Sequence, residues 1–312
     1  MLFFSEEQKI MSNSGITYLK HPPLPGYKGK AWNPVIGCTH SGYSGCDHCW
    51  ARELHEMRRW AWQAGKDMPA QYQRPFYEIQ ILADRLREPL SWRMPRLVMV
   101  CPQADLFHDD VPAAVIRQML DVIRDCPQHQ FFVPTKRTRR ARTEMDDYPW
   151  HLPNLGILAS ISDQPSADAL VPDLLQIEGI GWRGVSYEPA VGAVDLGLYD
   201  ETYKCPSCQS IGSHYEVANS DDLCSMACSR CDFTTDIGED FPTSSGIDLV
   251  IAGCESGSGR RPAEAGWFRD VRGQCQAAGV PFYLKQMELC GQVCERPYLD
   301  DEQWLQWVEV RG

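Results

Sequence analysis

The chain has 312 residues, 43% of them hydrophobic, and its 30 basic and 42 acidic side chains give a formal net charge of −12. That length suits one large α/β domain or two ordinary ones, and the negative charge argues against nonspecific binding to polyanions. No run approaches the eighteen or so apolar residues of a membrane helix, and Met1–Phe4 leads straight into Ser5, Glu6 and Glu7 rather than a secretory pattern, so a cytoplasmic protein without a membrane partner is expected, its fourteen cysteines serving metal centres rather than disulfides.

Residues 1–30 read as an N-terminal extension, with Met1 and Met11 both available as starts. From Trp32-Asn33-Pro34 the chain enters a short loop carrying Cys38, Cys46 and Cys49. Seven residues separate the first pair and two the second, so three thiolates can converge on one inorganic centre. Three ligands on a four-iron cluster leave one iron open to substrate or cofactor. A zinc ion completed by His40 or His48, or three ordinary buried thiols, are the alternatives. Structural zinc usually takes four protein ligands, and His48 stands too close to Cys46 and Cys49 to ligate easily beside them. Gly37, Gly42 and Gly45 allow backbone conformations closed to other residues.

A helix is predicted over 51–63, then strands and helices alternate: strand 96–101, helix 112–126, strand 130–134, helix 138–145, strand 155–161, helix 166–177 and strand 184–188. After an insertion come strand 248–253, helix 263–278 and strand 280–284. Repeated strand-helix units with buried strands predict a parallel sheet, either a closed or partial barrel or an open doubly wound sheet. A barrel is favoured because polar residues recur where the strands end: Gln103 and Asp105, Thr135 and Lys136, Ser160 and Ser162, Ser186 and Glu188, Glu255 and Ser256, Lys285 and Gln286. In barrels that edge gathers the reacting groups. At any single strand, polar residues simply mark where the chain leaves the core. The run Lys136–Arg142 places five cations beside one such edge, read either as a solvated helix face or as a contact for nucleic-acid or nucleotide phosphate.

The expected domain order is a barrel over 31–198, an insertion at 199–242, the rest of the barrel at 243–290 and a C-terminal extension at 291–312. Within the insertion, Cys205 and Cys208 and then Cys228 and Cys231 form two knuckles separated by nineteen residues, the spacing of a zinc ribbon. A rubredoxin-like iron or a redox dithiol is the alternative, and Cys224 is a spare. Ten acidic residues against Lys204 and Arg230 between 195 and 240 make the ribbon unsuited to gripping phosphates. Cys290 and Cys294 read as incidental.

Several blocks in this order resemble the "gp thirty-seven / gp sixty-eight" family, found chiefly in bacteriophages and prophages: Trp32-Asn33-Pro34 with the cysteine loop, Asp105-Leu106-Phe107, Thr135-Lys136-Arg137, Ser186-Tyr187-Glu188-Pro189, Gly253-Cys254-Glu255-Ser256-Gly257 with Arg261-Pro262, and Val280-Pro281-Phe282 with Lys285-Gln286. The resemblance implies a partial (β/α) barrel of the radical S-adenosylmethionine type with the zinc ribbon inserted. It implies a 4Fe–4S cluster on Cys38, Cys46 and Cys49, with S-adenosylmethionine cleaved to a 5′-deoxyadenosyl radical. Asp105, Ser186, Glu188, Glu255, Ser256 and Lys285 become candidates for binding cofactor or substrate, and Glu188, Glu255 and Lys136 for catalysis. A buried salt bridge closing the barrel is the competing role for Glu188. The phage association points to hypermodification of a thymine-derived nucleobase in DNA or in a nucleotide, with a reductase or flavodoxin-type electron donor, in the cytoplasm of a bacterial host. A radical lyase repairing pyrimidine lesions and a non-catalytic metal-stabilised binding protein are the competing readings. The chain departs from the wider superfamily in its seven-residue cysteine gap and in His48 at a position usually aromatic, and Cys254 stands where relatives commonly carry glycine.

Overall fold

The structure, a computed structural model, describes residues 16–198, 246–257 and 259–309, together with the backbone of 215–220, 223–228 and 234–236. A single turn of helix, α1 (Thr17–Lys20), precedes strand β1 (Lys28–Trp32) and the two-residue strand β2 (Val35–Ile36). The cysteine loop then leads into α2 (Trp50–Gln63), and β2 pairs antiparallel with β3 (Gln80–Ile81). The alternation expected from the hydrophobic pattern follows: β4 (Arg96–Val100), α3 (Ala113–Arg124), β5 (Gln130–Thr135), α4 (Thr138–Asp146), β6 (Leu152–Ile161), α5 (Gln164–Leu175) and β7 (Ile180–Tyr187). Strands β8 (Tyr215–Ser220), β9 (Leu223–Cys228) and β10 (Thr234–Asp236) form a separate antiparallel sheet. The chain ends with β11 (Leu249–Gly253), α6 (Ala265–Ala277), β12 (Phe282–Leu289), β13 (Gln292–Glu295) and the small pair β14 (Tyr298–Leu299) and β15 (Glu302–Gln303).

Eight strands form one curled sheet in the order β1-β4-β5-β6-β7-β11-β12-β13, parallel except for β13, so the molecule is a mixed α/β half-barrel flanked by helices. Alternation along each strand divides its side chains between two cores. Val98, Phe131, Val133, Ile157, Val185, Val250 and Phe282 face the helices, against Ile116, Leu120, Leu170 and Phe268. Leu97, Met99, Phe132, Leu158, Trp182, Ile251 and Tyr283 face the concave side, which α1 and the C-terminal segment fill. There the Tyr18 ring lies 5.6 Å from Phe132 and 6.2 Å from Tyr283, and Lys20 Nζ reaches Glu295 Oε1 on β13 at 2.7 Å. Gly156 makes room for this inner core, since a Cβ there would come within 2.1 Å of the Trp182 ring.

Strands β7 and β11 pair directly and in parallel, Leu249 beside Gly184 and Ala252 beside Tyr187, so the sheet passes from one to the other with no strand between them. Of the expected zinc ligands, Cys205, Cys208 and Cys231 lie outside the described residues, as does the side chain of Cys228. The sheet begins at Lys28, inside the segment read as an extension, and β13 with Trp304 and Val308 comes from the expected C-terminal extension. Both missed strands are edges. Lys28-Gly29-Lys30 and Gln292-Val293-Cys294-Glu295 carry the polar residues of an exposed edge, with no apolar run to mark them. Among the described residues no helix is long and apolar enough to cross a membrane.

Candidate active site

The alternation that buries Leu158, Trp182 and Tyr283 carries Ser160, Ser186 and Lys285 onto the same concave face, nearer the carboxyl ends of their strands. A cavity of about 1080 Å³ opens there. It is lined by Cys38, Cys46, Cys49, Asp105, Lys136, Ser186, Glu188, Glu255, Ser256 and Lys285. The structure therefore brings together every site residue expected from the sequence except the zinc knuckles.

The cysteine loop is pinned from several elements. Gly37 adopts φ +97°, and a Cβ there would lie 2.3 Å from Glu78 O, so only glycine lets the loop leave β2 this way. At Gly45 a Cβ would lie 2.2 Å from Ser162 Oγ, so the loop sits directly on the end of β6. Ser44 Oγ donates to Asp163 Oδ2 at 2.5 Å, and Asp163 also accepts from Ser166 N at the cap of α5. His40 Nδ1 accepts from Gly42 N, which leaves Nε2 to donate to Asp47 Oδ1 at 2.9 Å. Both His40 nitrogens are thus engaged within the loop.

Asp105 is the organiser beneath Cys38. Its two oxygens accept from Thr135 Oγ1 (2.7 Å), Phe107 N (3.0 Å), Lys136 N (3.0 Å) and Arg137 Nη1 (3.1 Å). With four donors it is committed to the protein, which makes it a positioning residue rather than a cofactor ligand. Arg137 carries the arrangement to the loop, its Nη1 3.8 Å from Cys38 Sγ and its Nη2 3.4 Å from Thr39 O. Burial pushes the Cys38 thiol up to about 11, Asp105 adds to the rise, and Arg137 opposes it by charge and hydrogen bond.

Thr39 is held in turn by His108. Asp110 N donates to His108 Nδ1, so Nε2 carries the proton and donates to Thr39 Oγ1 at 2.6 Å. Burial, with Arg137 assisting, holds His108 below its ordinary 6.5, and burial does the same at His129. Below about pH 6.5 the unfolded chain therefore gains protons that the folded chain does not, and stability is expected to fall as the solution is acidified from that point. Urea midpoints near neutrality and about one unit below pH 6.5 measure this. A His108→Gln variant should show a shallower decline, and equal midpoints for the wild type would contradict the assignment.

Across the cavity, Lys285 Nζ lies 2.7 Å from Glu188 Oε1, with Ser186 Oγ 3.3 Å from Oε2, so the ion pair weighed for Glu188 is present but part-exposed rather than buried. Lys136 Nζ donates to Ser160 Oγ at 2.8 Å. Glu255 is buried beneath Arg261, which donates from its backbone N to Oε2 (2.7 Å) and from Nε to Oε1 (3.0 Å), with Nη2 also bonded to Oε1. The same guanidinium donates to Ser44 O at 2.8 Å and approaches Asp47 Oδ2 at 3.3 Å. Arg261 thus ties the loop after β11 to the cysteine loop. Sequence reasoning did not single out Arg261, Asp163, His108 or the Arg137 contact with Cys38 as site features. Only Arg261-Pro262 and Arg137 stood within the quoted blocks, and no spacing marks residues that meet across six strands.

The basic run divides differently from a free phosphate-binding face. Lys136 and Arg137 point into the cavity, while Arg140 pairs with Glu144 and donates to Val111 O, and Arg142 pairs with Asp173 at 2.8 Å. Arg139 alone of the five is exposed without a side-chain partner among the described residues.

Three cysteines facing a roomy cavity suit a cluster with an open corner. Among the described residues no three His, Cys, Asp or Glu side chains gather as a single metal ion requires. A cubane holds its irons at separate corners, so its thiolates need not share one centre. Cys38 Sγ meets Thr39 O at 3.3 Å and Cys46 Sγ meets Ser41 Oγ at 3.1 Å, weak contacts that ligation would replace.

Fold and site together define an α/β half-barrel protein with a cysteine-bearing cavity at the carboxyl edge of its sheet. Residues 26–297 match the family described as Protein of unknown function (DUF5131), and the chain belongs to that family. No curated protein and no solved structure matches it.

Proposed function

We propose that the chain is a radical S-adenosylmethionine enzyme of the gp thirty-seven / gp sixty-eight kind, altering a substituent on a thymine-derived nucleobase in phage DNA. The observation that carries this reading is the single cavity shared by the three loop cysteines and the polar ends of strands from across the sheet. Cys38, Cys46 and Cys49 would hold a 4Fe–4S cluster, and bound cluster and S-adenosylmethionine would together supply a 5′-deoxyadenosyl radical. The chain's own part is to position and to exclude. Lys136, Ser160, Ser186, Ser256 and the Glu188–Lys285 pair offer charges and hydroxyls of both kinds to a zwitterionic cofactor or polar substrate. Tyr18 and Met99 close the cavity floor with apolar surface, which keeps water from a reactive intermediate. The paired knuckles would hold structural zinc. A reductase or flavodoxin-type protein would supply the electron in the host cytoplasm.

The reading is tested by incubating anaerobically purified chain with dithionite, S-adenosylmethionine and DNA carrying a substituted thymine. Release of 5′-deoxyadenosine that depends on reductant, together with a change of the base in mass or, for a rearrangement, in chromatographic retention, is expected. Undisturbed S-adenosylmethionine in a preparation loaded with iron and sulfide would overturn it.

A further inference from the structure

Beyond the cysteine loop the cavity reaches the β1 edge of the sheet, and its wall changes character there. Arg58 of α2 and Arg85, the last residue of a short 3-10 turn (Ala83–Arg85), both line it, together with Trp50 and Tyr72. Arg58 donates to the Tyr72 hydroxyl, and its guanidinium stands 5.0 Å from the centre of that ring. Arg85 is anchored by its backbone, its carbonyl accepting from Trp32 Nε1 at 2.8 Å. Its guanidinium has no hydrogen-bond or ion-pair partner among the described residues. Trp50, the residue after Cys49, is 42% exposed. Glu88, three residues beyond Arg85, also lines the cavity.

Elsewhere around the cavity the arginines are committed: Arg137 to Asp105 and Arg261 to Glu255. A guanidinium left without a carboxylate and a second one held by a phenol, both lining this cavity, are two forks with donors to spare. We propose that this lobe takes a phosphate of a nucleotidyl ligand, with Arg85 and Arg58 donating to its oxygens and Trp50 offering a ring face to a base. Planar arginine forks match phosphate geometry, and aromatic faces stack bases without regard to sequence. The identity of the ligand rests on the nucleobase reading above; its binding requires no radical chemistry. The lobe also supplies what the run at 136–142 does not, since four of those five cations are engaged within the protein.

The test is fluorescence anisotropy of the anaerobically purified full chain with a labelled oligothymidylate, titrated at several salt concentrations and competed with thymidine monophosphate. Arg85→Gln is expected to weaken binding and to flatten the logarithmic salt slope by about 0.7, the loss of one single-strand phosphate contact. Trp50→Ala should weaken it by roughly tenfold. Arg139→Gln, outside the cavity, should bind as wild type, and Glu88→Gln should bind more tightly. Displacement by the monophosphate assigns a free nucleotide and resistance to it a strand, and either supports the lobe. Absence of binding to both probes, or wild-type affinity and salt slope in Arg85→Gln, would overturn the proposal. Release of 5′-deoxyadenosine by the wild type without DNA reports on the radical reading alone, so failure of one can be told from failure of the other.

Discussion

Serine in place of any one of Cys38, Cys46 or Cys49 is expected to strip the loop of iron and sulfide and reduce 5′-deoxyadenosine formation to background. A cubane held at three corners has no spare protein ligand, so each substitution removes a third of its attachment. The fold should survive. The loop is fixed by His40 on Asp47, Ser44 on Asp163 and Arg261 on Ser44 O, none of which involves sulfur. Circular dichroism and melting temperature close to wild type, beside lost iron, are the expected pair of results. Cys101 and Cys254 line the same cavity, but they stand at strand ends outside the loop and are almost fully buried, whereas the three loop cysteines are part-exposed. Alanine at Cys254 should leave iron content intact. Iron retained in the three loop variants would show that the metal resides elsewhere.

Asp105→Ala is expected to have the largest effect on stability. The carboxylate is 6% exposed and accepts four hydrogen bonds, so its removal leaves the Arg137 guanidinium, two backbone amides and the Thr135 hydroxyl to find other partners. Breaking a buried ion pair by deleting one partner costs about 3–5 kcal/mol. That corresponds to a melting temperature lower by roughly 10 °C in a chain of this size. Because Arg137 would no longer be held beside Cys38, iron loading should fall as well. A double substitution of Asp105 and Arg137 should recover part of the lost stability, since no uncompensated charge remains. An Asp105→Ala variant as stable as the wild type would show that this network adds nothing to the fold.

The strand-helix alternation was legible because the inner strands are buried on both faces and read as continuous apolar runs, as in Leu97–Val100 and Leu249–Ala252. Edge strands carry no such run, so β1 and β13 were invisible, and with them the two rims of the cavity. The cysteine spacing and the polar strand ends are local features, and the residues they marked line one cavity. The partnerships inside it were not local. Arg261 lies six residues from Glu255 but 217 from Ser44, and Asp105 meets Arg137 across 32 residues. The charge run at 136–142 stayed open between two readings for the same reason. Composition shows five cations together but not that Asp105, Ser160, Glu144 and Asp173 answer four of them.

Electron paramagnetic resonance of the anaerobically reconstituted, dithionite-reduced chain, recorded before and after adding S-adenosylmethionine, tests the central claim most directly. The account expects the signal of a reduced 4Fe–4S cluster whose shape changes when the cofactor reaches the open iron. A signal indifferent to S-adenosylmethionine, or a single closed metal ion on Cys38, Cys46 and Cys49, would contradict it.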